Sequence, residues 1–93
     1  MKWKDVSSYS RDDTERAPRT FEIRTDAIIV VVTRWIHGDP ARWYLTCREA
    51  GFSSHYGLNN QDLKDAQKEA LWRVHDILIK RAEAIEKLME EKT

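Results

Sequence analysis

Hydrophobic and polar positions change rhythm once along the 93 residues: they alternate or run apolar from Thr20 to Arg48, and from Asn59 they recur every three to four. The densest apolar stretch is Ala27–Ile36, in which Ile28 to Val32 are β-branched at each of five positions. Branched side chains suit a pleated, packed surface, and a short run without polar interruption predicts a strand covered on both faces. Thr20–Thr25 and Arg42–Arg48 alternate and predict half-buried strands on either side of it. Thr25-Asp26 would make a two-residue turn before the central strand, and Gly38 and Pro40 mark the turn after it. Closing these turns pairs Arg24 with Ala27, Ile23 with Ile28 and Phe21 with Val30. On the other side Val32 meets Cys47, Thr33 meets Thr46 and Trp35 meets Tyr44. Both pairings give one apolar face: Phe21, Ile23, Ile28, Val30, Val32, Ile36, Trp43, Leu45 and Cys47, with Arg34 the polar exception. A slip of one residue in either turn would scramble it.

The helical rhythm begins at Asn59, which as N-cap puts Asp62 at N3 and frames the start with Leu58 and Leu63. The stripe runs Leu63, Ala66, Ala70, Leu71, Val74, Ile77, Leu78, Ala82, Ile85, Leu88 and Met89. Outward pairs Glu69–Arg73, Asp76–Lys80 and Glu83–Lys87 stand four residues apart in the favourable order. Some 30 helical residues at ~1.5 Å each span roughly 45 Å. Strands of seven to ten residues at ~3.3 Å span about 23–33 Å, so the last turns overrun the sheet. Leu71, Val74, Leu78, Ile85 and Leu88 fall on a and d positions that Arg81 interrupts, short of a coiled coil. Ile85, Leu88 and Met89 are therefore expected to bury themselves against a second copy.

The predicted fold class is α+β: an antiparallel three-stranded meander, with a fourth edge strand near Trp3–Tyr9, then one long helix on one sheet face. It is one domain, with residues 1–19 as arm or edge strand, 20–48 as meander, 49–58 as loop and 59–91 as helix. In the arm, Trp3 and Tyr9 pin the chain to the sheet.

Charge narrows the partners little. Lys and Arg number 16 and Asp and Glu 16, giving a formal net charge of zero, and the halves are nearly balanced too. Neither half resembles a basic nucleic-acid arm. A single Cys47 excludes a disulfide framework or a cysteine-rich zinc site, and facing the core it reads as a small hydrophobe. His37, His55 and His75 show no metal-ligand spacing. With no phosphate loop, nucleophile–base pair or paired carboxylates, the expectation is a protein without enzymatic activity, cofactor or metal. No apolar stretch approaches a membrane span, which makes the cytoplasm the default compartment.

The sheet face turned from the helix would carry Thr20, Glu22, Arg24, Ile29, Val31, Thr33, Trp35, His37, Arg42, Tyr44, Thr46 and Arg48. Trp35 beside Tyr44, with His37 and the guanidiniums of Arg24, Arg42 and Arg48, is the one constellation that asks for a ligand. Aromatic planes with arginines suit a protein surface or, as on several nucleic-acid-binding sheets, bases and phosphates. A three-stranded sheet with a C-terminal helix is also the layout of AP2-like DNA-binding domains. The plainer alternative is that the N-terminal arm, or a second subunit, covers Ile29, Val31 and Trp35 as ordinary core.

The runs S-S-Y-S-R-D-D-T-E-R-A-P-R-T-F-E-I-R (7–24), R-W-I-H (34–37) and W-Y-L-T-C (43–47) resemble small uncharacterised proteins encoded by bacteriophages and prophages. The resemblance covers about half of the chain and carries no catalytic residue. It implies a phage accessory protein in the bacterial cytoplasm, with a host or phage protein as partner. Proteins of this size and class include anti-defence inhibitors.

Overall fold

The computed structural model describes residues 2–7, 19–35 and 37–91. Five strands, β1 (Lys4–Asp5), β2 (Thr20–Arg24), β3 (Ile29–Thr33), β4 (Tyr44–Cys47) and β5 (Phe52–Gly57), precede a helix, α1 (Leu63–Glu91), with a 3-10 turn at Arg48–Ala50. The strands form one antiparallel sheet in chain order. The α+β class and the long C-terminal helix are as the hydrophobic rhythm predicts; the strand count of three or four is too low.

Both pairings sit two residues from their expected places. Phe21 pairs with Val32 and Arg24 with Ile29, while Val32 pairs with Leu45 and Thr33 with Tyr44. In the first turn the Thr25 hydroxyl accepts the Ala27 N–H (3.2 Å), and the Thr25 N–H donates to the Ile28 carbonyl (2.8 Å). That moves the turn one residue on, to Asp26-Ala27, and shifts each partner by two. An even shift leaves every side chain on its expected face. Val30, Val32, Trp43, Leu45 and Cys47 accordingly form the core, with Phe21, Ile23 and Ile28 packed against it. Ile36, assigned to the same face, lies outside the described residues.

The segment 49–58, expected as a loop, instead supplies the edge strand β5. Gly51 adopts a left-handed φ of 87° and its N–H donates to the Arg48 carbonyl (3.1 Å), turning the chain back along β4. At the opposite edge β1 pairs with β2. There the Ser7 hydroxyl accepts the N–H groups of Arg19 (2.7 Å) and Thr20 (2.8 Å). Trp3 packs on the core, as expected, whereas Tyr9 lies outside the described residues. The described part of the arm widens the sheet; it does not cover the open face.

The helix starts at Leu63, with its cap three residues later than the expected Asn59. Asp62 is the cap: its carboxylate accepts the Asp65 N–H (3.2 Å) and its carbonyl the Ala66 N–H (2.8 Å). Asn59 and Asn60 instead direct their N–H groups at the Glu69 carboxylate (2.8 and 3.0 Å). Ala66, Ala70 and Val74 are buried, and the two alanines let the helix backbone approach the sheet closely. Ile77 is the last helical side chain packed on the core. One turn later the Arg81 guanidinium donates to the Glu49 carbonyl (3.0 Å). Residues 78–91 are all exposed, and the stretch after Arg81, about 15 Å of helix, stands beyond the sheet in a molecule 63 Å long.

Candidate functional site

Two surfaces hold the residues singled out by the sequence. The first is the open sheet face, whose candidates the fold divides between its two ends. At one end Trp35, just past β3, meets Tyr44 of β4 edge to face (5.5 Å) and His37 likewise (5.9 Å). The structure adds His55 of β5, lying flat on the Trp35 ring (4.7 Å between centroids, 2° between planes). His55 escaped the sequence reading because its strand did; Ser53-Ser54 before it and Gly57 after it look like loop.

This aromatic end is built to hold itself. Tyr44 is buried, and its hydroxyl accepts the Asp39 N–H (2.8 Å). The Asp39 carboxylate caps the Ala41 N–H (2.9 Å), while Gly38 donates to the Trp35 carbonyl (3.0 Å). A β-carbon on Gly38 would come within 2.6 Å of the Tyr44 ring. Since that ring is fixed by its hydrogen bond and by Trp35, Gly38→Ala is expected to cost about 1–3 kcal/mol through overpacking. Urea denaturation followed by tryptophan fluorescence checks this, with a midpoint at the wild-type value counting against the account.

The arginines go elsewhere. Arg42 crosses Gly57 and donates from Nε to the Leu58 carbonyl (2.8 Å). Arg24 pairs with Glu22 (3.6 Å) opposite Ile29, six residues and about 20 Å of strand from Trp35. Arg48 borders a shallow concavity with Ile29, Val31, Thr46, Cys47 and Glu49. There Glu49 accepts the Ile29 N–H (3.0 Å). Burial raises the pKa of the Cys47 thiol, and the nearby Glu49 charge raises it further, against opposing hydrogen bonds from the Ala50 and Glu49 backbone. Cys47 is thus the small buried group expected, held as a thiol. Among the described residues no three His, Cys, Asp or Glu side chains gather as metal ligands.

The second surface is the free side of α1. Leu71, Trp72, Leu78, Ile79, Ile85 and Met89 are exposed large apolar side chains there, Trp72 at 69 %, and Leu88 is exposed on the sheet-facing stripe past the end of the sheet. Lys68, Leu71, Trp72 and His75 line an apolar groove near the helix start, where Trp72 and His75 meet edge to face (5.5 Å). Ile85, Leu88 and Met89, named from the sequence for association, are indeed left uncovered by the sheet. Among the described residues no helix is long and apolar enough to cross a membrane.

Comparison with protein-family models, curated proteins and solved structures finds no match.

Proposed function

We infer that this protein works by binding another polypeptide and catalyses no reaction of its own, as a phage accessory protein in the host cytoplasm. The observation that carries this reading is the apolar free side of α1. Seven large side chains are held in water along one rigid element, and a surface of that kind marks an interaction site. A host protein, defence proteins included, is the partner class the phage resemblance suggests. The alternative of a sheet-face nucleic-acid module has less support. Arg42 is tied to a backbone carbonyl and Arg24 to a carboxylate, and one face of Trp35 is already stacked on His55. Affinity for phosphates requires clustered, available cations.

The test uses tagged wild-type protein and a Trp72→Ser variant, a change at an exposed position, in bacterial lysate. A partner recovered in stoichiometric amount by wild type and lost by the variant is the expected result. No stoichiometric protein partner, together with salt-sensitive binding of labelled DNA that Arg42→Ala abolishes, would overturn the reading in favour of the nucleic-acid module.

A further inference from the structure

The spacing along the free side of α1 says what first covers it, an inference drawn from the same surface as the binding reading above but not dependent on a host partner. Leu71, His75, Leu78, Ala82, Ile85 and Met89 are all exposed and recur at intervals of four, three, four, three and four. That is a heptad seam, turned about 100° from the Ala66–Ala70–Val74 face that meets the sheet. The a and d set expected from sequence used Val74, which is committed to the core; the exposed seam lies one step around the helix and Arg81 does not interrupt it. We propose that a second copy of the chain packs along this seam in antiparallel orientation, forming a two-helix dimer.

Orientation follows from the ends of the seam, which are unlike each other. One end is the shallow groove of Lys68, Leu71, Trp72 and His75; the other is Met89, at 64 % exposure. Antiparallel packing sets each Met89 on the other copy's groove, where its flexible thioether suits the Trp72 edge. The same register sets Leu71 against Met89, His75 against Ile85 and Leu78 against Ala82, each layer joining unlike shapes. Parallel packing would set His75 on His75 and Ala82 on Ala82, and groove against groove. In the antiparallel dimer Lys68 meets the C-terminal end of the partner's helix, the negative pole of its dipole. The two Arg81 side chains come near the axis, an opposing effect softened because each is directed at its own Glu49 carbonyl.

Leu71, Leu78, Ile85 and Met89 of the seam are 37–64 % exposed, with Ile79 at 43 % and Trp72 at 69 % beside them, apolar surface that a partner helix would remove from water.

Sedimentation equilibrium at micromolar concentration, with cysteine cross-linking, tests the proposal. The expected mass is twice the 11.0 kDa of the chain. Leu78→Glu with Ile85→Glu, both exposed in the single copy, should weaken association by about 100-fold or more while leaving the circular dichroism unchanged. Under mild oxidation, Leu71→Cys mixed with Met89→Cys should form a mixed disulfide, and neither variant alone should cross-link. A mass near 11.0 kDa at every concentration, or cross-linking by each variant alone, overturns the antiparallel dimer. A monomer that still captures its stoichiometric partner leaves the binding reading standing; a dimer that captures none removes that reading and keeps this inference.

Discussion

Leu45→Ala is expected to lower the free energy of unfolding by about 2–5 kcal/mol. Leu45 is 0 % exposed and lies on the middle of β4, between Val32 of β3 and Tyr56 of β5. It shares the core with Ala66 and Ala70 of the helix. Those neighbours explain the magnitude. Val32 is branched and held in the sheet, and the alanines have no longer rotamer with which to fill the space. The cavity therefore stays open, and its cost adds to the lost transfer energy of the removed methyl groups. In a domain whose whole stability is about 5–15 kcal/mol, the loss should shift the thermal midpoint by more than about 10 °C. Calorimetry or urea denaturation checks it beside Lys64→Ala, an exposed control expected to stay within about 0.5 kcal/mol. A Leu45→Ala protein as stable as that control would mean the sheet and helix do not pack as described.

The second large effect belongs to Glu69, a carboxylate that organises the connection between sheet and helix. It accepts the N–H groups of Asn59 and Asn60, the Asn60 side-chain amide (2.8 Å) and Arg73 Nε (2.8 Å), and so fixes the passage from β5 to α1. Partial burial alone would raise its pKa, but these hydrogen bonds outweigh it and hold the carboxyl below its ordinary 4.5. Glu69→Ala leaves three amide donors and a guanidinium without their acceptor, an expected loss of about 2–3 kcal/mol at pH 7. The pH dependence follows from the direction of the shift. A depressed folded-state pKa contributes stability in full above the unfolded value, and the contribution is lost as pH falls through the folded one. Wild type should therefore lose stability through the acid range below about pH 4.5, and Glu69→Ala should lose less there, so that the two curves converge. Denaturation midpoints measured from pH 7 to pH 2.5 show this; parallel curves would remove Glu69 from the role.

How much of this was legible beforehand differs from element to element. The faces of β2, β3 and β4 were, because alternation of period two survives any even error in register; the Thr25 hydroxyl moved a turn and no side chain changed sides. β5 was not. It is an edge strand with four of its six residues exposed, so nothing compels it to alternate, and Ser53-Ser54 between two glycines mimics a loop. His55 was lost with it, and with His55 the stacked half of the aromatic end. The helix start was misplaced because Asn59, Asn60 and Asp62 are all residues that cap, and only the engagement of the first two by Glu69 decides among them. The arginines were grouped with Trp35 because alternation assigns a face but not a position along it, and 20 Å of strand separates Arg24 from the aromatics. The seam on α1 needed the packed structure, since sequence alone does not say which of two adjacent stripes the sheet takes.

The sheet's strand order carries a consequence for how the chain is made. Every strand lies beside its neighbour in sequence, with no crossover, so the ladders β2–β3, β3–β4 and β4–β5 each close a short segment. Such topologies reach the native state quickly. On a ribosome, β1 has emerged before its partner β2, and β3, β4 and β5 then add one strand at a time to an edge already formed. The helix comes last and closes over a sheet that is complete, so the apolar face stays open only until α1 is released. A protein assembled in that order exposes few unpaired edges to its neighbours while it waits.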